Sequence, residues 1–197
     1  MALPDCLDCK YGGREHPCRD AAGHYDFVKA ATAYIARGRQ IAKDYAGEPS
    51  DAEDGDEDWI SDCEFEIVQD HPDLILPFSI AAMDACETSE DAAWLAAGTI
   101  ETALTKHGPE LIGAIEALAA RSAKVRYILS GVWSHGGSIY GDVWERVGRA
   151  VGGSGRISND PREASDGSEP VVLDEAEAAA VLTERVGNLA RELNLGG

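Results

Sequence analysis

Positive charge is what this sequence is shortest of. Its 197 residues include 17 Lys and Arg against 36 Asp and Glu, a formal net charge of −19. Between Asp51 and Asp73 eleven acidic residues stand without a single Lys or Arg. Direct binding to nucleic acid or to an anionic membrane needs basic patches, so neither is expected. No apolar run approaches the roughly 18 residues of a membrane-crossing helix. The opening residues Met1-Ala2-Leu3-Pro4-Asp5 hold neither a basic nor an apolar leader segment, so no secretory signal is read and a cytoplasmic location is expected. Strand-type alternation is missing over any useful length before residue 169. Apolar residues nevertheless make up 44% of the chain, which excludes wholesale disorder.

Catalytic patterns are missing as well. Ser134 and His135 are adjacent, but Val132 stands where a nucleophile elbow needs glycine. Gly152-Gly153-Ser154-Gly155 has neither a preceding strand nor the lysine of a phosphate loop. Glu101 and His107, six residues apart, fall on different faces of one helix. His107 suits the last turn before Gly108, near the negative end of the helix dipole, and His71 before Pro72 reads as another terminator. A calcium loop centred on Gly55 would put Ser50 first and Ser61 twelfth, without the bidentate acid it requires. No catalytic residue is assigned, and the chain reads as a non-enzyme.

What is abundant is helix. The chain has 30 alanines, and its glycines and prolines fall mostly at the boundaries of periodic runs. After Asp26 the residues Phe27, Ala31, Tyr34, Ile35, Ile41 and Tyr45 recur at helical spacing toward Gly47, interrupted at Gly38. Trp59 to Val68 forms a short helix ending before Pro72. The most apolar stretch, Leu74 to Cys86, suits a buried helix with Pro77 near its first turn. Thr88 caps a helix that stops at His107-Gly108, and Pro109 opens the next. Val125, Ile128, Leu129, Val132 and Trp133 form another apolar face, and Val143 to Val151 one more. The expected fold class is all-α: an antiparallel helical bundle or a short array of stacked helix pairs.

The expected organisation is a Cys/His-rich segment at 1–25, a helical core at 26–151 with an acidic loop at 48–58, a flexible linker at 152–170, and a C-terminal amphipathic helix at 171–197. In that last helix Ala179, Leu182, Val186, Leu189 and Leu193 make a two-heptad seam, with Leu182, Val186, Leu189 and Leu193 as candidates for docking back on the core or for a homodimer.

Three of the five cysteines fall near the N-terminus. Cys6 and Cys9 form a Cys-x2-Cys turn, and Gly12-Gly13 allows the reversal that brings back Cys18 with His24 or His16. Such a set would close a tetrahedral, structural zinc site. Reduced thiols on a frayed terminus and a disulfide are the other readings. Cys63 and Cys86 lie on apolar helix faces and read as small core residues.

The acidic residues Asp51, Glu53, Asp54, Asp56, Glu57, Asp58, Asp62 and Glu64 are candidates for contact with a basic partner, against the plainer reading of a solvated loop that caps the next helix. Three functions follow as expectations. The first is a protein that neutralises a basic protein partner, as immunity proteins, antitoxins and inhibitors do. The second is an anti-defence protein of bacteriophage type whose carboxylates mimic the phosphates of nucleic acid and occupy a nucleic-acid-binding protein. The third is a zinc-containing accessory subunit of a larger complex.

From Trp59 to Val151 the chain resembles a family of uncharacterised bacterial proteins. The residues that carry the likeness are Trp59, Asp70-His71-Pro72-Asp73, Leu95-Ala96-Ala97-Gly98 with Glu101, Leu104 and His107-Gly108, then Ile115-Glu116, Gly131-Val132-Trp133 and Trp144. The resemblance implies a helical domain of unknown function, and it brings no assigned activity and no site residues.

Overall fold

A computed structural model describes residues 18–20, 24–47, 58–134, 137–153, 155–157 and 171–195. Several helices start where a local cap is available. The Asp26 carboxylate accepts from the Lys29 N–H and opens α1 (Phe27–Ala46), which ends at Gly47 with a left-handed φ of 72°. Only His71 separates α2 (Asp58–Asp70) from α3 (Pro72–Ala85), where Pro72 takes the first position, which needs no N–H. Thr88 and Asp91 cap each other's backbone at the start of α4 (Ser89–Leu95). One wide π turn, Ala96–Ile100, links α4 to α5 (Glu101–Ala119), and the Glu101 N–H bonds the Ala96 carbonyl five residues back. Then follow α6 (Ala123–Leu129), α7 (Gly141–Val151), α8 (Glu175–Leu182) and α9 (Val186–Glu192). The fold is all-α. Among the described residues the β-type pairing consists of two isolated bridges, Arg19 with Tyr25 and Arg156 with Val172.

The core is organised around α3. It is apolar on nearly every side, burying Leu74, Ile75, Phe78, Ile80, Ala82 and Met83, so it must be enclosed. Helices α1, α2, α4, α5, α6 and α9 all pack against it, which makes the arrangement a bundle rather than an extending array of pairs. Pro77 sits inside α3 and removes one hydrogen bond, to the Asp73 carbonyl, within a helix held by its neighbours. Tyr34 of α1 lies edge-on to Phe78 at 5.8 Å and tilted against Trp94 at 5.8 Å, joining α1, α3 and α4.

The stop expected at His107-Gly108 is a kink within α5. His107 leaves the helical region (φ −127°, ψ 21°), and Pro109 restarts the helix. The freed imidazole donates from Nε2 to the Val68 carbonyl at 2.9 Å. It therefore caps the last turn of α2, not the end of its own helix. Trp133, expected on a core face, is instead 47% exposed, because α6 ends at Leu129 and the chain past it no longer follows the helical stripe. The Glu101 carboxylate holds that segment by accepting from the Trp133 N–H at 3.1 Å.

The C-terminal region departs most from expectation. Instead of one helix over 171–197, the chain breaks at Thr183-Glu184-Arg185 into α8 and α9. The break is held by three charged side chains, Glu184 within it and Asp84 and Lys124 from the core. Glu184 caps α6, accepting from the Ser122 hydroxyl at 2.6 Å and the Lys124 N–H at 3.1 Å. Asp84 caps α9, accepting from the Val186 N–H at 2.6 Å and the Gly187 N–H at 3.1 Å. Lys124, only 1% exposed, donates its ammonium to the carbonyls of Leu182 at 2.7 Å, Cys86 at 3.1 Å and Glu184 at 3.4 Å. Part of the linker is docked as well. Ile157 donates to the Ser130 hydroxyl at 3.1 Å, Arg156 is buried, and its backbone pairs with Val171 and Leu173. Gly155 makes this possible, since a Cβ there would lie 2.1 Å from the Leu173 side chain.

Two substitutions test this packing. Lys124→Ala strands carbonyls on two segments and is expected to lower unfolding free energy by about 2–4 kcal/mol in urea titration. Gly38→Ala gains about 1 kcal/mol of helix propensity, but its Cβ would stand 2.6 Å from the Trp94 ring. Overpacking of that kind costs about 1–3 kcal/mol, so a net loss near 1 kcal/mol is expected by the same titration.

Candidate functional site

The N-terminal thiol region is visible only at its end. Cys18 is 3% exposed, its carbonyl accepts from the Asp26 N–H, and the Asp20 N–H donates to the His24 carbonyl, each at 2.9 Å. Tyr25, opposite Arg19, places its hydroxyl 3.3 Å from the Cys63 thiol in α2. His24 is exposed, and its ring lies 3.6 Å from the Asp20 carboxylate. The other candidate ligands, Cys6, Cys9 and His16, lie outside the described residues. Among the described residues no group of three or more His, Cys, Asp or Glu stands where it could hold a metal. Cys86 is a core residue, as its apolar setting suggests. Its thiol donates to the Ala82 carbonyl at 3.2 Å, and burial pushes its pKa up to about 12.

Of the acidic candidates, Asp51, Glu53, Asp54, Asp56 and Glu57 lie outside the described residues, as does the side chain of Asp58. The rest are sorted by the turn of α2. Ile60, Cys63, Ile67 and Val68 face the core, while Ser61, Phe65 and Asp70 are exposed and Asp62, Glu66 and Gln69 are half-buried beside them. Glu64, four residues from both Ile60 and Val68, falls on the inner side of that division. Its carboxyl sits near Tyr34 and Thr99, and burial raises its pKa while the Thr99 hydroxyl opposes the rise. Tyr34 is also pushed up, by burial and by the neighbouring Glu64 charge. Glu64 is thus a half-buried carboxyl turned toward the core rather than outward with Phe65. Phe65, which the sequence reading passed over, is 62% exposed in the middle of the acidic outer face.

The seam residues turn toward their own chain. Leu182 and Val186 are buried in the core, and Leu189 and Leu193 pack partly buried against it.

Three further features have no signature in the sequence. Arg39 of α1 grips the buried Asp91 of α4 through Nε at 2.8 Å and Nη2 at 2.7 Å, and Glu87 at 3.0 Å. Burial works to raise the Asp91 pKa, but Arg39 and the N–H groups of Glu87 and Thr88 outweigh it and hold the carboxyl below its usual value. Beside this pair lies a mostly apolar cleft of about 330 Å³ between α1 and α4, with Ile41, Ala42 and Tyr45 on one side and Glu90, Ala93 and Trp94 on the other. Ile41 and Tyr45 continue the apolar spacing of α1, but Ile41 is half-buried and Tyr45 is 90% exposed. A second cavity of about 460 Å³ lies between α1 and the α8–α9 junction, where Arg39, Asp84, Cys86 and Arg185 contribute to its wall.

The class of protein this defines is an all-helical domain whose buried polar groups serve the packing and whose apolar recesses open on its outer faces. The model of a family of unknown function (DUF6869) matches residues 48–154, from the acidic segment through α7, and the chain belongs to that family. α1, α8 and α9 lie outside the matched span. No curated protein and no solved structure matches the chain. Among the described residues no helix is long and apolar enough to cross a membrane.

The inward-turned carboxyl gives a pH test. Glu64 has an ordinary pKa of 4.5 when unfolded and a higher one when folded. The native state therefore binds the proton more tightly, and stability from this group is fully present below 4.5 and is lost as pH rises through the folded pKa. Glu64→Gln keeps the shape without the ionisation. It is expected to raise the melting temperature near neutrality, with the gain vanishing in acid, as followed by circular dichroism across pH.

Proposed function

We propose that this chain acts by binding a basic protein partner, with the outer face of α2 as the contact. The observation that carries this reading is Phe65, 62% exposed, with Asp62 and Glu66 beside it on the outer face of α2, in a stretch, residues 51–73, that holds no Lys or Arg. An exposed aromatic ring among carboxylates supports a protein interface, in which the ring supplies buried area and the charges steer approach and orientation. Neutralisation of a basic protein, in the manner of an immunity protein or inhibitor, fits this composition. A mimic of nucleic acid would rely on the carboxylates and have little use for the ring.

The test is capture from a lysate of the source cells by the tagged full-length chain, compared with Phe65→Ser and with the pair Glu66→Lys and Asp70→Lys. A specific basic protein should be retained by the wild type, its recovery falling as salt rises, and each variant should reduce recovery about tenfold. Loss with the charge reversals but not with Phe65→Ser would point to mimicry of nucleic acid. Equal recovery by all three proteins would refute the α2 contact.

A further inference from the structure

The apolar stripe of α1 outruns the core. Gly38, Ile41, Ala42 and Tyr45 follow one another at helical spacing; Gly38 is covered by the ring of Trp94, Ile41 is half-buried, and Ala42 and Tyr45 are exposed. Past that point the stripe forms one wall of the 330 Å³ cleft, and Trp94 and Ala93 form the other. The charges around it are unequal. Arg39, the cation in the lining, is already taken by Asp91 and Glu87. Glu90, an exposed acid in the first turn of α4, lines the cleft with no cation paired to it among the described residues. An apolar slot with two aromatic rings and one unmatched carboxylate complements a side chain that is apolar along its stem and positive at its tip.

The geometry points to this cleft as the seat of an arginine side chain from the basic partner, with its alkyl stem along Ile41 and Ala42 and its guanidinium between the Tyr45 ring and Glu90. The assignment rests on the reading that the partner is a basic protein. Guanidinium suits the slot better than ammonium, because it is flat, less strongly hydrated, stacks on aromatic rings and matches a carboxylate with two donors. The cleft would then be a second anchor for the partner, independent of α2, in which affinity comes from one inserted residue rather than from diffuse charge.

The probe is a capped Gly-Arg-Gly peptide titrated into the full-length protein and followed by NMR, with the citrulline peptide as a neutral isostere and the lysine peptide as a second cation. The arginine peptide should shift the Tyr45, Trp94 and Ile41 signals saturably at millimolar concentration. The lysine peptide should bind more weakly and the citrulline peptide not measurably. Tyr45→Ala and Glu90→Gln should each weaken the arginine peptide about fivefold. Both residues are exposed, so neither change threatens the fold. Equal shifts with citrulline would overturn the proposal, as would arginine shifts confined to residues 58–73. Equal binding of lysine would overturn the guanidinium assignment. The two readings fail separately. A cleft that takes the arginine peptide while no basic protein is captured refutes the partner and spares the site. A captured basic partner whose recovery is unchanged by Tyr45→Ala refutes the cleft alone.

Discussion

A helix that is apolar on every side cannot stand at a surface, and the burial of α3 is the constraint to which the rest of this molecule answers. It is packed by α1 from outside the matched domain and by α2, α4, α5 and α6 from within it. The side left over is closed by α9, where Gly187 comes near Ile80 and Asp84. The C-terminal segment therefore completes the same core that the central helices begin. Stripping α9 away would expose apolar surface worth roughly 25 cal/mol for each Å² uncovered.

Closing that side with a broken helix creates loose backbone ends in a dry place, and the charged residues there are disposed to meet them. Lys124 collects carbonyls from the end of α3 and the end of α8, while Glu184 and Asp84 collect N–H groups from the starts of α6 and α9. The buried ammonium is thus satisfied by carbonyl dipoles and needs no carboxylate within ion-pair distance. Burial still presses its pKa down, against the pull of the nearby acids. Each of these three side chains serves a different segment from its own, so none of the ends can loosen without disturbing another.

The parts of the fold that are legible in the sequence are those governed by neighbours within a turn. Asp26, Thr88 and Asp174 are acceptors that cap their own helices, and Pro109 restarts a helix two residues after the kink, so these boundaries can be read locally. The break after Leu182 cannot, because Thr183, Glu184 and Arg185 are tolerable in a helix and it is Lys124 and Ser122, some sixty residues earlier, that hold the chain apart there. The same division runs through the candidate sites. The concentration of acid in 51–73 is plain in the sequence, and the phase of α2 that turns Glu64 inward is implied by Ile60, Cys63 and Ile67. The exposure of Tyr45 is not implied by anything local, since a stripe of apolar residues does not reveal where its covering helices stop.

The short bridge between Arg156 and Val172 has a topological consequence. It and the Ile157–Ser130 contact pin the chain on one side of residues 158–170, and the docking of α8 and α9 pins it on the other. The α8–α9 segment is thus held by contacts made outside that interval, so that its place in the core is one of docking, as of a subunit, rather than of tethering.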